Sequence, residues 1–269
     1  MNVLSPQYKV NEGNKEEKER VLEEGEFDEL ENETFWFRKS TLDWKKEVEN
    51  WEAHLNLLKL FSRFPHLNPV KKMKVNIKGL EEEREKSAVR KPKGSVNKKV
   101  ALFHGDITRL NCDVITNAAN SLLRQGTGVD GVIHYAAGKE LQIETREILK
   151  EMGHLRGGET VMTGAYELPC KRLFHTVAPF GENEMILSSC YITCLSLLST
   201  HQFKSIAFPC IGTGAHFYPE IKAAHVALSS VRDWLEENGE QIEQVIFCCY
   251  TIESYAIYET IMPLYFPAE

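Results

Sequence analysis

No stretch of this sequence stays apolar for long enough to span a bilayer. Its opening residues, MNVLSPQYKVNEGNKEEKER, lack the apolar core of a secretion signal and are not acid-poor as transit peptides are. No CxxC or HxxxH pair stands ready to complete a tetrahedral set, so neither a metal nor any other cofactor is expected. Cys190 and Cys194 are a helical turn apart and Cys248 and Cys249 point to opposite faces of a strand, which makes all four small buried hydrophobes. Seven cysteines without a paired framework suit a reducing compartment, cytoplasm or nucleus. There is no internal repeat and no low-complexity tract. Basic charge is also scarce where it would matter most. Residues 100–269 carry 11 basic side chains against 20 acidic ones, which argues against nucleic acid as the main ligand of that part.

What is present falls into four zones. Residues 1–33, with 11 acidic and 4 basic residues and few aromatics, are expected to be a disordered acidic arm. Residues 34–66 contain a helix start at Ser40-Thr41-Leu42-Asp43, then Trp44, Val48, Trp51, Leu55 and Leu58 at three- and four-residue steps. Such a stripe needs a cover, either the rest of the chain or a partner protein. Pro65 and Pro69 end it, and residues 67–97 follow as a charged linker. Residues 71–99 hold 11 basic against 4 acidic side chains; a solvated linker is the expected reading, with an anionic partner as the alternative.

The fourth zone, 98–269, is one domain of ordinary size. Strands are expected at 100–104, 113–117, 160–163, 172–177, 205–209 and 244–250. Helices are expected at 131–151 with a break near Gly138, at 186–200, at 219–237 closed by Gly239, and at 253–262. Alternating strands and helices give an α/β fold with a mixed, largely parallel sheet covered on both faces.

The chemistry is concentrated between Gly105 and His134. Two short apolar runs, Val100–Phe103 and Val114–Thr116, end at Gly105-Asp106 and at Asn117-Ala118-Ala119-Asn120. A loop with Gly126, Gly128 and Gly131 around Asp130 then enters a helix. Ligands of open α/β sheets bind beyond the carboxyl ends of the strands. Glycines let main-chain N–H groups approach an anion, and the helix after them presents its positive end. The residues alone point to a pocket for a phosphate-bearing ligand, with an amide and a carboxylate beside it.

Gly105-Asp106-Ile107, Asn117-Ala118-Ala119-Asn120 and Gly128-Val129-Asp130-Gly131 with His134 resemble the macrodomain family. Further blocks match in the same order: His175-Thr176-Val177-Ala178-Pro179, Ala207 to Gly214, and Val245-Ile246-Phe247-Cys248. The resemblance runs from about Lys98 to the C-terminus and is greatest to the MacroD-type ADP-ribosyl hydrolases and O-acetyl-ADP-ribose deacetylases. It implies a three-layer α/β/α sandwich, plus the N-terminal helical extension. It also implies ADP-ribose and mono-ADP-ribosylated proteins as partners, no membrane, and a monomer.

The same resemblance implies roles. Asp106, with Gly105 and Ile107, would take the adenine amino group, and Tyr250 would pack against the adenosine; a turn-capping Asp and a rim Tyr are the alternatives. The diphosphate would lie between two loops. The first is Gln125-Gly126-Thr127-Gly128-Val129 and the second Ile211-Gly212-Thr213-Gly214-Ala215-His216-Phe217. Ala118 and Ala119 would contact the substrate, and Asn120 and Asp130 would sit beside the distal ribose, with Asn120 fixing a hydroxyl and Asp130 positioning or activating a water. His134, one turn after Asp130, would steady that Asp or the water, or else be structural. Two departures stand out. Arg124-Gln125-Gly126-Thr127-Gly128 replaces a Leu followed by four glycines, and His216 stands where the family has an aromatic over the distal ribose. A non-catalytic reader of ADP-ribose is the alternative function.

Overall fold

The computed structural model describes residues 90–268. The expected acidic arm, the expected amphipathic helix and most of the expected charged linker lie outside the described residues.

Six strands form one sheet in the order β1-β6-β5-β2-β4-β3. They are β1 (Val100–His104), β2 (Val114–Ala119), β3 (Thr160–Gly164), β4 (Arg172–Val177), β5 (Ser205–Phe208) and β6 (Gln244–Cys249). All neighbours run parallel except β3, which pairs antiparallel with β4 at one edge. The helices are α1 (Gly94–Asn97), α2 (Gly128–Ala137), α3 (Lys139–Met152), α4 (Glu184–Thr200), α5 (Glu220–Asn238) and α6 (Ile252–Tyr265).

Period-2 alternation builds the layers. Val100, Leu102, Val114, Val245 and Phe247 face a core shared with α4, α5 and α6. Ala101, Ile115, Ile246 and Cys248 face the opposite core, with Ile133, Ala137 and Leu141 from α2 and α3. Both sheet faces are therefore covered, as the sandwich requires. The expected break between α2 and α3 falls at Gly138, whose φ of +89° is open to glycine at little cost. Gly239 does cap α5, but with φ −78° rather than in a left-handed turn, because the chain continues into a 3-10 turn at Gly239–Gln241.

The domain starts earlier than the linker boundary suggested. Arg90 N–H donates to Leu264 O at 2.8 Å, and the Arg90 side chain pairs with Asp233 at 2.8 Å. Arg232, 1 % exposed, donates to Tyr265 O and Lys91 O at 2.6 and 2.9 Å and pairs with Glu236. One buried guanidinium thus clasps the lead-in segment and the C-terminal helix together. The charge of residues 71–99 had suggested a solvated linker; the acceptors at Lys91 and Tyr265 are main-chain carbonyls, which composition does not reveal.

Strands β2 and β5 pair only through Val114–Ile206 and Ile115–Ala207, after which β2 continues to Ala119 alongside β4 alone. The sheet therefore splays at its carboxyl end, between the loops that follow β2 and β5. That gap holds the site.

Candidate active site

A cleft of about 260 Å³ opens there, lined by Ala118, Asn120, Gly126, Thr127, Gly128, Val129, Asp130, Gly212, Gly214, Ala215 and His216, together with Ala178 and Cys210. A larger groove of about 670 Å³ lies between α4 and α5, but serines and carboxylates line it, and it faces no loop at the carboxyl ends of the strands.

The first wall is the loop into α2. Its glycines serve close packing. A Cβ on Gly131 would lie 2.6 Å from Gly126 O, so the loop can rest on the helix only if residue 131 has no side chain. Gly128 takes φ +62° as α2 begins. The first turn of α2 leaves main-chain N–H groups without intrahelical acceptors, at the positive end of a ten-residue helix. Asp130 sits in that turn, 4 % exposed. Its Oδ2 accepts Gly126 N–H at 2.5 Å, and its Oδ1 accepts Asn117 Nδ2 at 2.6 Å.

The opposite wall is the loop after β5. Gly212, at φ +83°, lets Tyr218 N–H return to Gly212 O at 3.0 Å. The N–H groups of Gly214, Ala215 and His216 make no hydrogen bond among the described residues. His216 is held by its Nδ1, which lies 3.1 and 3.0 Å from Ala178 O and Pro179 O and so carries the proton. Two sets of unpaired donors thus face one cleft, an arrangement that suits a diphosphate.

Other expected residues lie where their side chains do different work. Asn120 accepts from Leu122 N–H and Arg124 N–H and donates to Arg124 O, which folds residues 120–124 into a turn. Gln125 leaves the cleft, accepting from Gln142 at 3.0 Å and donating to Gly131 O at 3.4 Å. Ala119, Ile107 and Ile211 bury their side chains in the cores. Thr213 caps its own turn through Cys210 O at 3.0 Å. Phe217 is exposed, at φ +57°, with its ring 6.1 Å from that of Phe180.

Asp106 follows β1 and caps a 3-10 turn (Ile107–Arg109), its Oδ1 accepting Thr108 N–H and Oγ1 at 2.9 and 2.7 Å. Oδ2 makes no hydrogen bond among the described residues. Gly105 N–H donates to Cys249 O, which sets Asp106 beside Tyr250, the residue after β6. Tyr250 is 78 % exposed, and neither it nor Asp106 is among the residues lining the cleft.

His134 lies behind Asp130 rather than on the cleft wall. Its Nε2 is 3.6 Å from Asp130 Oδ1, beyond hydrogen-bond reach, and neither ring nitrogen finds a hydrogen-bond partner among the described residues. Burial lowers its pKa below the usual histidine value, against the pull of Asp130.

The macro domain family model matches residues 116–227, the segment from β2 into α5. Over 210 residues, 76 % of this chain and 80 % of the other, the chain is 39 % identical to the ADP-ribose glycohydrolase MACROD1 of Rattus norvegicus. The chain belongs to the macrodomain family. It is also 40 % identical to an O-acetyl-ADP-ribose deacetylase of Citrobacter koseri, over 61 % of this chain and 95 % of that one. A Trypanosoma brucei macrodomain, solved in complex with ADP-ribose, superposes with a TM-score of 0.58 at 33 % identity, covering 73 % of this chain and 88 % of that one. Within this macrodomain, two residues of the cleft wall and one buried behind it had carried no weight in the sequence. Ala178 and Cys210 lie in matched blocks, but as small side chains they gave no chemical signal. Asn117 lies in the quoted Asn-Ala-Ala-Asn block, and only the packing of β2 under α2 reveals its bond to Asp130.

Proposed function

We propose that this macrodomain binds ADP-ribose in the cleft, hydrolyses mono-ADP-ribose from acidic side chains of proteins, and deacetylates O-acetyl-ADP-ribose. The observation that carries this reading is the pair of donor walls, the first turn of α2 and Gly214–His216, facing each other with Asp130 at one end. The adenine lies toward Asp106 and Tyr250, the diphosphate between the walls, and the distal ribose against Asn120 and Asp130. The relatives named above support the assignment of the ligand and of the reaction.

In release from an acidic side chain, water attacks the anomeric carbon, the ester carboxylate leaves with the bonding electrons, and the proton the water sheds passes to Asp130. A carboxylate is a weak base, so its departure needs little protonation; the incoming water is what must be placed. Each oxygen of Asp130 accepts one protein donor, so each keeps a lone pair for that water. Asn120 shapes the turn that closes the ribose end.

Single-turnover release of ADP-ribose from a glutamate-linked substrate, with calorimetry on free ADP-ribose, tests the proposal. Asp106→Asn keeps the cap on Thr108 but removes the charge, and should weaken binding by ~1.5–3 kcal/mol. Asp130→Ala should abolish release at saturating substrate. Heat of binding without release in the parent protein identifies a reader instead. No heat of binding at high ADP-ribose removes the reading altogether.

A further inference from the structure

Beneath the cleft a row of polar side chains replaces the apolar row on the same sheet face. Asn117 on β2 follows Ile115 on that face, and its register partner His175 on β4 follows Leu173. Both are 0 % exposed. Asn117 Nδ2 lies 2.6 Å from Asp130 Oδ1 and 3.1 Å from His175 Nδ1. His175 Nε2 lies 2.9 Å from Thr163 Oγ1 on β3, and Thr163 Oγ1 is 3.0 Å from Gly164 O.

The directions of these bonds follow from donor counting. An amide nitrogen has two hydrogens and no acceptor, so Asn117 donates one to Asp130 and the other to His175. His175 Nδ1 must then be unprotonated, and its proton sits on Nε2 and is given to Thr163. The Thr163 hydroxyl passes its own hydrogen to Gly164 O. Burial agrees, holding the His175 pKa down at about 3, so the ring stays neutral. Were Nδ1 to carry a proton, it would face the amide hydrogens, and Asn117 would have to turn its oxygen toward His175. Nδ2 would then leave Asp130.

Given the hydrolase reading above, we propose that Asn117 and His175 are positioning residues, a buried chain from β4 through β2 that fixes the Asp130 carboxylate for its water by holding the Asn117 amide in one orientation. Neither residue lines the cleft. The titratable side chains facing Asp130 are His134 from its own helix and, across the amide, His175 from β4. Gly126 N–H and the first turn of α2 add positive potential.

The imidazole tautomer can be read directly, without turnover, by ¹⁵N NMR of the full chain at neutral pH. His175 should show Nδ1 bare and Nε2 protonated; a protonated Nδ1 overturns the proposal. In kinetics, His175→Phe keeps the bulk but removes the acceptor. It should lower single-turnover release by about tenfold or more, the effect of a misplaced catalytic group, with ADP-ribose affinity nearly unchanged. His175→Gln, which again offers an acceptor, should recover most of the rate. Asn117→Asp places a second carboxylate beside Asp130, so the acid limb of the rate profile should move up by about one pH unit or more. A purely structural role would lower rate and affinity together in His175→Phe, with no recovery of rate in His175→Gln, and this result refutes positioning. If the parent protein releases no ADP-ribose, the hydrolase reading fails. The tautomer and the titration of the Asp130 carboxyl in Asn117→Asp then decide whether the chain governs that carboxylate.

Discussion

The loop before α2 is held from beneath by a buried network joining side chains, whereas the loop after β5 is held by main-chain turns and by Thr213 and His216, whose side chains bond only main-chain carbonyls. Under the first lie Asp130, Asn117, His175 and Thr163, all buried and joined by hydrogen bonds. The second relies on turns from Gly212 and Gly214, on Gly181 N–H donating to His216 O at 2.6 Å, and on an exposed pair, Phe180 and Phe217. A loop that carries a water-placing carboxylate needs a fixed foundation. One that only offers N–H groups to phosphate can tolerate adjustment. On the proposed function, catalysis falls to the first wall and grip to the second.

The sharpest way to break this contrast is a pair of glycine substitutions. In Gly131→Ala the added carbon meets Gly126 O at 2.6 Å, a main-chain atom that the buried network keeps from retreating. We expect a loss of about 1–3 kcal/mol in urea unfolding, the range of an overpacked site. Gly214→Ala meets nothing within 4 Å and has no positive φ. Its stability should change by about 0.5 kcal/mol or less. Equal losses in the two variants would mean that both loops are equally rigid.

Acid should act on the first wall through its buried histidines. His175 is neutral when folded down to a pKa of about 3, against an ordinary 6.5 when unfolded. Below pH 6.5 the unfolded chain takes up a proton that the folded chain refuses. This contribution is therefore whole above pH 6.5 and is lost as pH falls toward 3. Linkage gives about 2 kcal/mol lost between pH 7.5 and 5 from His175, and His134, also lowered, adds in the same direction. Unfolding at the two pH values, in the parent protein and in His175→Gln, isolates the share of His175. A slope unchanged by the substitution would place the acid sensitivity elsewhere.

A smaller effect probes the second wall. Phe217 holds φ +57° in a region that disfavours a side chain, at a cost of roughly 1–2 kcal/mol. Phe217→Gly relieves that strain while giving up some chain entropy and an exposed ring contact. A net gain of about 0.5 kcal/mol or more in the thermal melt is expected, and a loss would show that the Phe180–Phe217 pair supports the loop.

The legibility of this molecule divides along similar lines. Periodicity located all six strands, and in β1 and β4 to the residue, because a buried parallel sheet leaves continuous apolar runs. Glycine positions marked both loops, since close main-chain approach restricts the residue type. The foundation under Asp130 was not legible. Asn117 and His175 are 58 positions apart and meet only through the β2–β4 register, so neither spacing nor composition pairs them. The clasp at Arg232 was hidden for a related reason, its acceptors being main-chain carbonyls of residues 91 and 265. Asn120 and Asp130 were marked by their chemistry, but the sequence did not show how much of each is spent on the loop itself.

The smallest effect concerns Arg124, the basic residue that enters the first loop. Its main chain is used by the fold, with N–H bonded to Asn120 Oδ1 at 3.2 Å and the carbonyl accepting Asn120 Nδ2 at 2.5 Å. The side chain is exposed, and no ion pair joins it to Asp130 among the described residues. Asn120 fixes the turn through groups that every residue type possesses, so the guanidinium is free of any duty in holding the loop. An exposed arginine near a diphosphate gains ~0–1 kcal/mol at most, because water screens it. Arg124→Ala should thus leave ADP-ribose affinity within about twofold, and Arg124→Gly with Gln125→Gly should lose slightly more, because the Gln125–Gln142 bond goes with it. The two titrations are best run at low and high salt. A fall of about tenfold, ~1.4 kcal/mol, that fades at high salt would show the guanidinium reaching the diphosphate when ligand is bound, and would make the first wall a source of grip as well as of catalysis.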